Sequence, residues 1–145
     1  MISCRGRVIA TSASLARLKA GNYRSLANLS LDISPVNVFF GPNGAGKSTI
    51  LDTIWFFRGC AIRGVELASS TRSHGIGILY DGADDGEQIA IALATDEIES
   101  ELRFGLSSGR IEAFAGEQLR SLTNDRISID RAAGSATAQL YPGAA

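Results

Sequence analysis

The residues with the most chemical content lie side by side at Gly41-Pro42-Asn43-Gly44-Ala45-Gly46-Lys47-Ser48-Thr49. Their spacing, Gly-x-x-x-x-Gly-Lys-Ser, is that of a Walker A phosphate loop. Gly41, Gly44 and Gly46, with Ala45 between the last two, let the backbone turn so that successive N–H groups form a nest for phosphate oxygens. A helix starting near Lys47 adds its unpaired N–H groups and the positive end of its dipole. Lys47 is the candidate catalytic residue, a point charge reaching the β- and γ-phosphates. The Ser48 hydroxyl is the candidate ligand for Mg²⁺, which keeps most of its waters and draws its other oxygens from phosphate. Thr49 closes the site from the first helical turn. The expected ligands are a nucleoside triphosphate, ATP, and Mg²⁺; the motif reads phosphates and leaves the base unspecified.

Such a loop has to be held by a strand before it and a helix after it. Val36-Asn37-Val38-Phe39-Phe40 is β-branched and aromatic, and predicts a strand buried on both faces. Ser48 to Phe57 lacks Gly and Pro and places Ile50, Leu51, Ile54 and Trp55 at helical spacing, with Gly59 as the expected stop. Upstream, Gly21-Asn22 is a turn signal, and Leu29, Leu31 and Ile33 alternate with Ser30 and Asp32 as in a half-buried strand. Beyond Gly64 the pattern changes to an antiparallel meander with one wet face. Ile89, Ile91 and Leu93 alternate, as do Ile98, Leu102, Phe104 and Leu106 against Glu99, Glu101 and Arg103. After a turn at Ser107-Ser108-Gly109, Ile111, Ala113 and Ala115 share a face, and Ile127-Ser128-Ile129 predicts one more strand.

The expected organisation is a disordered tail over residues 1–14, then one partial domain over 15–145. Within it, 15–64 carry the strands, loop and helix, and 65–145 carry the meander. With 145 residues, 45% apolar and 20% charged, the chain suits a single globular domain, and no apolar run approaches the ~18 residues of a membrane span. Cys4 and Cys60 form neither a disulfide framework nor a metal cluster, which suits a reduced, cytoplasmic setting. Residues 1–64 carry eight basic and two acidic side chains, and residues 65–145 six basic and thirteen acidic. The basic half suits an anionic ligand or nucleic acid, though scattered surface charge explains it as well.

The wording around the loop is more specific than the bare pattern. Asn22-Tyr23-Arg24-Ser25-Leu26, Leu29-Ser30-Leu31 and Gly41 through Leu51-Asp52-Thr53-Ile54 together resemble the RecF/SMC-like, ABC-type AAA family ATPases of DNA repair, chromosome organisation and prokaryotic defence. The resemblance covers about residues 15–58. It implies an α/β P-loop NTPase, the N-terminal lobe of an ABC/SMC-like head, with a strand–P-loop–helix core and an antiparallel β subdomain. It also implies that Arg24 and Ser25 lie close to the nucleotide, Arg24 touching phosphate or base. A solvated strand-end cation is the plainer alternative for Arg24. Asn43 is implied to help place catalytic groups or a partner subunit.

The departures from that family lie downstream. Ile78-Leu79-Tyr80-Asp81 is similar to a Walker B strand, but Gly82 stands where the family has Glu, so a strand end is the better reading. Leu106-Ser107-Ser108-Gly109 echoes the ABC signature yet separates two alternating runs, as a hairpin turn does. Gln139 suits a surface glutamine better than a glutamine-loop residue, and His74 has no Cys or His companion. The expected function is ATP binding by half of an ATP site, with hydrolysis belonging to a complete protein in which two heads close around ATP. Expected partners are a second head and possible DNA or a nuclease effector, with no membrane. The alternatives are a small self-contained phosphotransferase or kinase, an ABC transporter subunit, and a nucleotide-binding fragment without turnover.

Overall fold

Ile89 and Ile91 are fully buried, and the strand that holds them lies inside a seven-stranded sheet. The structure, a computed structural model, describes residues 14–72, 77–84, 86–107, 110–111, 116–123, 127–132 and 139–142. All but the last residue of the expected tail over 1–14, together with His74, Ala113 and Ala115, therefore lies outside the described residues.

In chain order the elements are β1 (Arg17–Tyr23), β2 (Leu26–Asp32), α1 (Lys47–Arg63), α2 (Val65–Ser70), β3 (Ile89–Ala94) and β4 (Ile98–Phe104). Then follow β5 (Leu106–Ser107), β6 (Arg110–Ile111), β7 (Gly116–Ser121), β8 (Ile127–Ala132) and β9 (Gln139–Pro142). The main sheet runs β2-β1-β3-β4-β7-β8-β9, and every described pairing in it is antiparallel. Register aligns Ala20, Ile91 and Leu102 in one row and Ile89 with Phe104 in another, all buried. These rows meet Phe56 and Cys60 of α1 and Val65 and Ala68 of α2 in one core. Phe56 is the hub, with ring centroids 5.3 Å from Tyr23 and 5.6 Å from Phe104. The other face is wet: Lys19 bonds Glu99 at 3.2 Å, and Arg120 bonds the same carboxylate. The Lys19–Glu99 pair thus joins a base of the basic half of the sequence to an acid of the acidic half across the sheet.

Five expectations are corrected. Residues 36–40 form no strand: Val36, Val38 and Phe40 are 80%, 78% and 92% exposed, because no described segment lies beside them to pair. The strand–P-loop–helix core is therefore absent from the described structure, which is an antiparallel sheet with helices on one face. The turn falls at Arg24-Ser25, not Gly21-Asn22; β1 continues through Asn22, whose amide is held by Glu87 and the Gln88 carbonyl. Helix α1 passes Gly59, which is buried with only 3.3 Å between a Cβ placed there and Ala68, and stops at Gly64. A bare Cα at 59 is what lets α2 pack closely, so that glycine serves contact and not termination. Its core face is Thr53, Phe56, Gly59 and Cys60, whereas Leu51 and Trp55, expected on the apolar face, are exposed. Finally, β4 pairs with β7, and β5 with β6 in a separate two-stranded sheet, and residues 108–109 of the expected turn lie outside the described residues.

Candidate functional site

The loop from Gly41 to Gly46 runs over the surface into α1, and two of its glycines are conformationally necessary. Gly44 and Gly46 have φ of 84° and 85°, a region costly for residues with a Cβ. A Cβ on Gly46 would also stand 3.1 Å from Leu26 Cδ2 and 3.3 Å from Ser25 Oγ, so the loop is pressed against the tip of the β1–β2 hairpin. Helix α1 begins without a side-chain cap and with no acidic residue in its first turn. Its positive end is therefore uncompensated from within the element, the condition under which a helix start favours an anion.

Lys47 folds back over the loop and donates to the carbonyls of Gly41 (2.8 Å) and Pro42 (2.7 Å). Asn43, Gly44, Ala45 and Ser48 are exposed, and Thr49 is half-buried. Ser25 Oγ and Thr49 Oγ1 lie 2.8 Å apart, tying the hairpin tip to the first turn of α1. The structure thus brings Ser25, Gly46 and Thr49 together, with Arg24 beside them.

Arg24 is held by a group that sequence reasoning missed. Its backbone has φ 50°, and its guanidinium donates to Asp52 Oδ2 at 2.9 Å. The same oxygen accepts from Tyr23 Oη at 2.7 Å, and Arg72 donates to Oδ1 at 2.8 Å through Nη2 and 3.1 Å through Nε. Arg72 also lies 5.1 Å over the Phe56 ring. Burial alone would raise the Asp52 carboxyl, but hydrogen bonds from Arg72, Tyr23 and Arg24 outweigh it and hold the group below the usual carboxylate range. Burial, then the bond to Asp52, pushes the Tyr23 phenol far above its ordinary value. The only sequence signal for this hub was an acid one turn into the helix; Arg72 carried none.

The residues suit a magnesium–triphosphate group. The loop offers a glycine cradle, an open helix start, one ammonium group and one exposed hydroxyl. Among the described residues no cluster of His, Cys, Asp or Glu could cage a metal. An exposed hydroxyl such as that of Ser48 is the kind of oxygen donor Mg²⁺ could take alongside phosphate and water. Asp81, from the Walker-B-like run, begins a turn after a single bridge between Leu79 and Tyr23. Gln139 lies in β9, paired with Asp130 across the sheet.

The AAA ATPase domain family model matches residues 14–101, more than half of the chain. The chain belongs to the AAA ATPase domain family. Relatives of this AAA ATPase domain include the DNA replication and repair protein RecF of Colwellia psychrerythraea, 43% identical over 44 residues, covering 30% of the chain and 12% of that protein. RecF of Bacteroides fragilis is 36% identical over 61 residues, 41% of the chain and 16% of the relative. The OLD nuclease of Thermus scotoductus is 48% identical over 40 residues, 28% of the chain and 8% of the relative. The matched stretches span well under a fifth of these proteins. No solved structure matches the chain. Among the described residues of this AAA ATPase domain, no helix is long and apolar enough to cross a membrane.

Proposed function

We propose that this chain is the phosphate-binding portion of an ATPase of the RecF and OLD type. In this reading it holds ATP and Mg²⁺ at Gly41–Thr49 inside a larger protein of DNA repair, chromosome maintenance or prokaryotic defence. The observation that carries the reading is the Gly-x-x-x-x-Gly-Lys-Ser pattern at an uncapped helix start, within the family match. Gly44, Ala45 and Gly46 would offer backbone N–H groups, and Lys47 would exchange the Gly41 and Pro42 carbonyls for phosphate oxygens. Ser48 would ligate magnesium, whose role when bound is to neutralise phosphate charge. Arg24, Ser25 and Thr49 would flank the ligand, and Asn43 would face a second head.

Two features support a larger head. Val36, Val38 and Phe40 are apolar and exposed, and so are Leu51, Trp55 and Ile62 on the outer side of α1. An element apolar on both sides fits burial on both sides. A parallel core built with the rest of the protein would cover them and complete the P-loop fold. Because the named relatives are a repair protein and a nuclease, DNA is the expected macromolecular partner of the whole protein. The antiparallel course of the described sheet is unlike the alternating strands and helices of a self-contained phosphotransferase.

The test is titration of the chain and of Lys47→Ala with magnesium-ATP, alongside a turnover assay. Losing the ammonium group should weaken binding on the order of tenfold or more, since a hydrogen bond to a charged group contributes roughly 1.5–3 kcal/mol. Turnover by the chain alone should stay near background. Unchanged affinity in the variant would remove the loop assignment, and brisk turnover would remove the half-site reading.

A further inference from the structure

An open groove of about 470 Å³ adjoins the phosphate loop, lined by Arg24, Ser25, Thr49, Leu79, Tyr80 and Asp81. One wall is the hairpin tip and the first turn of α1, joined through Ser25 and Thr49. The opposite wall is the segment from Gly77 to Asp81, which the Walker B comparison left without a role. That segment is fixed to the hairpin from the backbone: Arg24 N–H donates to the Ile78 carbonyl at 2.6 Å and Tyr80 N–H to the Asn22 carbonyl at 3.0 Å. Tyr80 is half-buried, and its ring lies over Gly82, where a Cβ would stand 2.6 Å from Cε1. The ring position thus depends on a residue without a side chain, the same glycine that disqualifies the run as a Walker B strand.

We propose that this groove is the nucleoside subsite of the nucleotide site, with the Tyr80 ring as its aromatic platform. The proposal rests on the phosphate-loop reading above and adds to it the part of the ligand that the loop does not read. A triphosphate seated between Gly44 and Ser48 must send its sugar and base out of the loop, and the groove opens at Thr49, the next residue. Its chemistry is mixed in the way a nucleoside requires: an aromatic ring and Leu79 for a flat base, and the exposed Asp81 carboxylate as an acceptor for sugar hydroxyls or an exocyclic amine. Arg24, oriented by Asp52, stands at the junction, where the α-phosphate would pass. The Lys47 ammonium, by contrast, is committed to the loop carbonyls, so the two halves of the site have separate determinants.

That separation makes the proposal testable with two ligands, magnesium-ATP and magnesium-tripolyphosphate, titrated calorimetrically into the 145-residue chain. Tyr80→Ala should weaken ATP binding about tenfold and leave tripolyphosphate within about twofold, with Tyr80→Phe restoring ATP, since stacking needs the ring and not the hydroxyl. Tyr80→Leu, which keeps apolar bulk over Gly82, repeats the comparison should the alanine variant melt early. Lys47→Ala should weaken both ligands. If Lys47→Ala weakens both while the Tyr80 variants bind ATP like the parent, or lose both ligands equally, the nucleoside subsite is overturned and the phosphate loop stands. If the parent binds neither ligand, or Lys47→Ala changes neither, the phosphate-loop reading falls and this subsite falls with it.

Discussion

Strand β3 and the segment 36–40 are close in composition and opposite in fate. Both are short, apolar and free of charge, and neither contains Gly or Pro. Ile89 and Ile91 are fully buried between β1 and β4, while Val38 and Phe40 are 78% and 92% exposed and belong to no strand. The difference lies in the neighbours. Strand propensity describes how well a side chain fits a pleated, half-buried surface, so it has no expression where no second strand lies alongside. Helix α1 carries the same contrast around one axis, with Phe56 in the core and Trp55 beside it 64% exposed.

The largest effect expected from this contrast is a pair of identical substitutions. Phe56→Ala should destabilise the chain by about 3–5 kcal/mol, whereas Phe40→Ala should stay within about 0.5 kcal/mol, both read by urea denaturation. A substantial loss at Phe40 would mean that segment 36–40 is already packed in solution. Next comes Asp52→Asn, which leaves Arg72, half-buried over Phe56, short of its counter-charge. A cost of about 1–3 kcal/mol is expected. Because the folded state holds this carboxyl below its ordinary value of 3.8, its contribution is present above about that pH and is lost as pH falls through the lower folded value. The acid limb of Tm against pH should therefore be flatter in Asp52→Asn than in the parent. The smallest effect is at Trp55, the sole tryptophan. Trp55→Ser should change stability by less than about 0.5 kcal/mol, and parent fluorescence should be readily quenched by acrylamide. Protection from the quencher in a longer form of the protein would show that added residues cover this side of α1.

What the sequence made legible was local. The glycine turn at 44–46, the helix after it, and the strands β2, β4 and β8 are readable because each depends on residues a few positions apart. The register of α1 was not, since Leu51 and Trp55, which are exposed, are as apolar as the face that meets the sheet. Only contact with Tyr23 and Phe104 decides between faces. The hairpin turn was misplaced by three residues for a similar reason. Gly21-Asn22 has the composition of a turn, but bonds to Glu87 and Gln88 keep Asn22 in the strand. The Asp52 hub joins residues from β1, the hairpin tip, α1 and the end of α2, and no spacing rule connects Tyr23, Asp52 and Arg72. The groove beside the glycine-rich loop was not legible, because Tyr80 and Asp81 arrive there through backbone bonds to the hairpin.

Cys60 lies in the seam between α1 and the sheet, and burial pushes its thiol up to about 12. At neutral pH the thiol there is almost wholly protonated, and the reactive thiolate is scarce. Alkylation then proceeds almost wholly through molecules in which the helix has lifted away, so its rate is a clock for that opening. With Cys4 replaced by Ser, this one sulfur would time how often the platform beneath the phosphate loop comes apart, and how far a bound nucleotide slows it.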